Sequence, residues 1–351
     1  MLSIFLVDLK QSKPPLTCSP CVTQNETMSL SGIVCSRAKW FLLSIALPTL
    51  GLGLNKTAFS YNKKDEYSPD NWYRLDIAGN VCRGPRNSPI ALESTPCDAY
   101  EGYGLYSGTC TLNDLDFQLT ELGVKIKYPK DGSCDINTLT VPGVSGNFRL
   151  LEVTIHGGSE HSIDGNFSGA EIQLVHEKIN SQEGHLAVLA ILVEPEGPKD
   201  NLFFGTLLDE WRAVRADSTA SCAKAGYDVP TLYWLASGTP VNTRHSYVRS
   251  YFTSPRFNAY SLLPTNTSFY RYYGGLTTPP CSEIVWWSVA DTVMRISTGQ
   301  YAELMTMITT GYVNVTDEAG CEPWSVASPS GSTSRPLQAR NGRPVDRICP
   351  V

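Results

Sequence analysis

The residues able to carry chemistry crowd into one stretch, Phe148 to Lys178, which holds three of the chain's five histidines. These are His156, His161 and His176, and with them come Glu152, Glu160 and Glu171, together with Thr154 and Gln173. Imidazoles among carboxylates suit metal binding or proton transfer, because histidine titrates near neutral pH and ligates divalent metals. A tetrahedral zinc site, however, needs several nitrogen, sulfur or carboxylate donors that converge.

Two strands must position these side chains. With a period of two, Leu151, Val153 and Ile155 share one face, while Glu152, Thr154 and His156 share the other. In the second run Ile172, Leu174 and His176 alternate with Glu171, Gln173 and Val175. The loop between the runs is long enough for antiparallel pairing, which gathers Glu152, Thr154, His156, Glu171 and Gln173 on one patch of sheet.

On these residues the stretch resembles the α-carbonic anhydrases, whose first strand carries His-x-His and whose second carries Ala-Glu-x-His-Leu-Val-His. Further motifs agree in order. Arg86-Asn87-Ser88-Pro89-Ile90 is similar to the family's Arg-Gln-Ser-Pro-Ile/Val, and Leu276-Thr277-Thr278-Pro279-Pro280 to its Leu-Thr-Thr-Pro-Pro, with Trp287 following at matching spacing. Gly184 to Leu189, and Arg335-Pro336-Leu337-Gln338 with Asn341 and Arg343, match two more. The resemblance spans about Phe59 to Val345. It implies a mainly β (α+β) fold: a large, twisted, mostly antiparallel central sheet with short peripheral helices.

The resemblance places the three zinc-ligand positions at Thr154, His156 and Gln173, so His156 is the sole retained ligand. Glu152 and Glu171 stand at the outer-shell positions, where Glu171 would orient a ligand histidine. Thr277 and Glu160 correspond to the family's proton gate, and without zinc a structural role for the pair is expected. The apolar pocket of Val175, Val188, Leu276, Val285 and Trp287, with Thr278 beside Thr277, looks kept. The proton-shuttle position falls on Ser133, which carries no proton at neutral pH. Threonine and glutamine oxygens are poor zinc donors. No cofactor is therefore expected, and neither is appreciable hydration of carbon dioxide. The expected role is a binding module like the carbonic anhydrase-related proteins, for an unknown protein or small ligand. One alternative is an active zinc-dependent carbonate dehydratase. Others are another metal-dependent hydrolase on the same scaffold, and a new site built from His156, Glu152 and Glu171. His161 and His176 match structural histidines.

The rest of the chain sets the context. With 351 residues, 42% hydrophobic, it is long enough for one large domain. The net charge of -6 argues against nucleic acid as partner. Residues 1–58 read as a leader. Arg37 and Lys39 precede an apolar run from Trp40 to Leu54, too short for an ordinary membrane span, and Met28 is an alternative start. This predicts one domain over 59–351 and entry into the secretory pathway, with a membrane link only through an uncleaved leader; a signal-anchored or plastid location is the alternative. Of eleven cysteines three precede residue 59, which leaves eight. The family joins the positions of Cys82 and Cys281 by a disulfide, and that bond is carried over. For the other six, proximity in sequence suggests Cys97–Cys110 and Cys321–Cys349, two guesses among fifteen pairings. Sequons stand at Asn166, Asn266 and Asn314. Strands are expected at Val124–Tyr128, Asn147–His156, Ala170–His176, Leu186–Val193 and Glu283–Val289, and helices at Asn201–Ala216 and Ser297–Thr309.

Overall fold

The computed structural model describes residues 59–97, 103–181, 184–224, 256–310, 313–316, 320–323 and 325–349. The leader, its cleavage and the alternative start lie outside them.

One eleven-stranded sheet organises the molecule. Its main path uses β1 (Asp116–Thr120), β2 (Gly123–Lys127), β3 (Asn147–Gly157), β4 (Ala170–Lys178), β5 (Leu186–Glu194), β6 (Phe269–Gly274), β7 (Val285–Ala290) and β8 (Asp346–Ile348). The spatial order is β8-β6-β7-β5-β4-β3-β2-β1. All neighbours on this path are antiparallel except β5 and β7, which run parallel. All five expected strands are present, shifted at their ends by a residue or two.

Alternation sorts the side chains of β3 and β4. Val153, Ile155, Ile172 and Leu174 are buried in the larger apolar core, under the helices. Their neighbours in sequence project to the opposite face and build the site. A bulge between Val175 and His176 shifts the register by one residue at the end of this patch.

Two helices cover the core face. In α1 (Leu202–Lys224), Phe204, Leu207, Leu208 and Trp211 recur at helical spacing and are fully buried. Trp211 meets the Phe117 ring edge-on and donates its indole N–H to the Lys125 carbonyl at 3.4 Å, so α1 backs the strand that carries Lys125. α1 runs past its expected end at Ala216. In α2 (Thr298–Thr310), Leu304, Met307 and Ile308 form the buried stripe. Each such aliphatic side chain contributes about 1.5–3 kcal/mol through burial.

A third apolar cluster contains Phe59, Tyr61 and Trp72, packed edge to face, beside the Cys82–Cys281 disulfide. That bond is as the resemblance implied. The two guessed pairings are wrong: Cys97 joins Cys349, and Cys110 joins Cys134. Sequence proximity failed because the partners are chosen by which loops the sheet brings together, across 252 residues in the first case. The side chains of Cys222 and Cys321 lie outside the described set. Asn166 and Asn266 are exposed, while the Asn314 side chain also lies outside the description. Among the described residues no helix is long and apolar enough to cross a membrane.

Candidate active-site cavity

Register decides which residues meet. Gln173 on β4 is directly opposite Thr154 on β3, Glu171 is opposite His156, and Val175 is opposite Glu152. Lys125 on β2 is opposite Thr154 from the other side. Directly opposed residues share a face, so the expected patch forms. It floors a cavity of about 290 Å³ whose lining includes Thr154, His156, Gln173, Thr277 and Thr278. Val175, Val188, Leu276 and Trp287 line its apolar side, and Glu152 reaches it too. Val285 does not line it: the residue is fully buried in the apolar cluster behind. Ser133 is exposed and outside the lining.

His156 is held from the C-terminal segment. Its Nδ1 lies 2.8 Å from the Thr333 carbonyl, which only accepts, so Nδ1 carries the proton. The next residue, Gly157, allows this approach, since a Cβ there would sit 2.7 Å from the Gly331 carbonyl. Nε2 of His156 is 3.7 Å from Glu160 Oε2.

Gln173 sits between two buried carboxylates. Its Nε2 donates to Glu160 Oε2 at 2.7 Å and to Glu171 Oε1 at 3.0 Å. Glu171 also accepts from the backbone N–H groups of Glu160 and His161, both at 2.9 Å, and pairs with His161 Nδ1 at 2.9 Å. Burial by itself would raise the Glu171 carboxyl; the His161 charge and these hydrogen bonds more than reverse that and hold it well below the usual carboxylate range. Glu160 accepts from the Arg335 backbone N–H at 3.0 Å through its other oxygen. Both carboxylates are fully buried, so without such donors each would carry a large desolvation cost.

One expectation and one alternative need correction. Among the described residues Thr277 makes no hydrogen bond to Glu160, whose Oε2 accepts from Gln173 instead. Glu152 and Glu171 do not converge with His156 on a new site: Glu152 pairs with Lys125 at 3.0 Å, and Glu171 is spent on His161 and Gln173. No group of three or more His, Cys, Asp or Glu among the described residues is placed to hold a metal ion.

His161 and His176 are structural, as expected. His161 Nε2 meets the Tyr272 hydroxyl at 2.7 Å, and Tyr272 continues to Ser88 at 2.9 Å. His176 lies between the Ala187 carbonyl and the Tyr260 hydroxyl, and burial lowers its pKa to about 4. Sequence reasoning missed Lys125, Tyr260 and Tyr272. Lys125 alternates with Val124 and Ile126, a visible signal that it faces away from the core. Nothing local marked the tyrosines.

A family model described as eukaryotic-type carbonic anhydrase matches residues 67–348. The chain belongs to the eukaryotic-type carbonic anhydrase family. Among curated relatives, this carbonic anhydrase-family chain is 26% identical over 320 residues to alpha carbonic anhydrase 5 of Arabidopsis thaliana, covering 89% of this chain and 95% of the relative. Among solved structures, the α-carbonic anhydrase of Photobacterium profundum aligns with TM-score 0.55 at 24% identity, over 82% of this chain and 99% of that one. Dioscorin complexed with ascorbate aligns with TM-score 0.56 at 23% identity, over 84% and 98%. These two likenesses speak to the fold.

The family is normally zinc-dependent, and the donor set of this carbonic anhydrase-family chain fits that ion poorly. One imidazole faces the cavity, and the amide nitrogen at the third ligand position is turned toward carboxylates. A carboxylate cannot donate, so the amide presents N–H there, and N–H is no metal ligand.

Proposed function

We propose that this member of the carbonic anhydrase family is a catalytically silent binding module of the secretory pathway, which takes a small hydroxylated molecule in the cavity where relatives work on carbon dioxide. The observation that carries the reading is the Gln173 amide bridging Glu160 and Glu171. It satisfies two buried carboxylates without metal and removes the gate that would orient a zinc-bound nucleophile. The cavity is lined by the Thr154, Thr277 and Thr278 hydroxyls, the Gln173 carboxamide and the Lys125–Glu152 pair against an apolar wall. Few polar groups against apolar walls suit a small organic ligand. Dioscorin, a neighbour of the same fold, is described in complex with ascorbate, a small hydroxylated molecule. The three disulfides support an oxidising compartment.

The retained apolar wall favours the second reading, a zinc-dependent carbonate dehydratase. Metal analysis of the purified protein with stopped-flow hydration of carbon dioxide separates the two. The expected result is no stoichiometric zinc and no rate above the uncatalysed one; zinc-dependent, sulfonamide-sensitive hydration would establish the second reading instead.

A further inference from the structure

A second and larger cavity, about 800 Å³, lies apart from the first. Glu160 stands between them. One of its oxygens takes the Arg335 N–H from the second cavity's lining, and the other faces Gln173 and His156 of the first. The lining of this second cavity contains Lys63, Lys64 and Arg335 and no aspartate or glutamate. The charges that line the cavity are thus all positive in a chain of net charge -6, with Asp65 and Glu66 next in sequence and Glu160 behind Arg335. Lys63 and Lys64 are exposed, and their ammonium groups form no ion pair among the described residues. Arg335 is nearly buried and fixed, since its guanidinium donates to the carbonyls of Ser88 and Cys82 at 2.8 and 2.9 Å.

The other groups suit sugar rings. Phe167 lines the cavity while 57% exposed, a large apolar ring held open to solvent. Four alternating serines form one wall, braced in pairs: Ser328 with Ser330 at 2.8 Å and Ser332 with Ser334 at 2.7 Å. Each pair uses one hydroxyl proton internally and leaves donors and acceptors for a ligand. A flat apolar ring, a row of fixed hydroxyls and unpaired ammonium groups match a hydroxylated ring that also carries negative charge. The volume is far more than a single compact anion fills, and cavities of this size hold drug-sized ligands. Asn166 precedes Phe167 in a short strand, so its side chain, and any glycan on it, leaves from the opposite face.

We infer that this cavity is a binding site for a short anionic oligosaccharide, charged through uronate or sulfate groups. Lys63 and Lys64 meet the charge, Phe167 stacks on a ring, and the serine wall reads the hydroxyls.

Calorimetric titration of the intact protein tests this with four probes: a uronic acid trisaccharide, a sulfated trisaccharide, a neutral glucose trisaccharide and inorganic phosphate. One or both charged sugars should bind, about tenfold or more tighter than the neutral sugar, with affinity falling as salt rises. The two charged arms identify which group supplies the charge. Lys63→Gln with Lys64→Gln, both at exposed positions, should weaken charged-sugar binding about tenfold. Phe167→Ala should weaken it with the salt dependence unchanged. The inference fails if the neutral sugar binds equally well, or if phosphate matches the oligosaccharides. It also fails if the double lysine variant binds as the parent does, or if no sugar binds with a Kd of about 1 mM or tighter.

Discussion

Gln173 donates its side-chain amide to Glu160 at 2.7 Å, across what would be the ligand side of a metal site. The same nitrogen also reaches Glu171. One neutral residue thereby satisfies two buried anions, a task for which a carboxamide has two N–H groups and a neutral imidazole only one.

Replacing that amide should therefore be costly. Gln173→Leu leaves two buried carboxylates each short of a donor, and should destabilise the fold by about 2–4 kcal/mol. Gln173→Glu puts a third acid beside them and should lose at least as much at pH 7, recovering in part as pH falls and the cluster takes up a proton. Urea denaturation at two pH values reads both effects. Equal stability of Gln173→Leu and the parent would show that the bridge is incidental.

Restoring the family's donors tests the cavity itself. Thr154 and Gln173 face each other across β3 and β4, and His156 is two residues along the same face. Thr154→His with Gln173→His should bind zinc stoichiometrically, measured by metal analysis after dialysis. Some sulfonamide-sensitive hydration of carbon dioxide should accompany it. Zinc binding without hydration would indicate that Thr277 and Glu160 do not re-form the gate.

Acid should unfold this protein through named groups. Burial lowers His176 to about 4 from its ordinary 6.5, so between those values the unfolded chain binds the extra proton and stability falls as pH falls. The contribution is up to about 3 kcal/mol, complete above the unfolded value and gone below the folded one. Glu171 acts in the same direction further down: its folded carboxyl is held below its ordinary 4.5, so its contribution is present above 4.5 and is lost in stronger acid. A His176→Gln variant should be less stable at pH 7 but lose less stability than the parent between pH 7 and 4.5, by chemical denaturation. Parallel curves for parent and variant would remove His176 from the account.

The Cys82–Cys281 bond closes a span of 199 residues. Replacing both cysteines with serine should cost about 5 kcal/mol if the unfolded-chain entropy model holds. Thermal unfolding of the double variant, which also loosens the Phe59–Tyr61–Trp72 cluster beside the bond, checks the figure. A melting temperature within a degree or two of the parent would show that the core alone closes this loop.

Alternation in 152–156 and 171–176 settled which side chains face the core and which face the site, because a strand's geometry is local and its period is two. It failed at Leu151, expected on the core face, because the bulge there puts Leu150 in the core and Leu151 in the cavity lining. Motif order carried the family and the Cys82–Cys281 bond, and helical patterning located the two main helices. Contacts between distant segments were a different matter. Cys349 finds Cys97, Lys125 claims Glu152, and Tyr260 and Tyr272 hold the two structural histidines. Those partners are separated by tens to hundreds of residues, and no spacing rule spans such loops. The identity of Gln173 could be read from the sequence, but the direction of its amide could not. That direction follows from the electrostatics of two carboxylates buried on either side of it, and only the folded sheet puts them there.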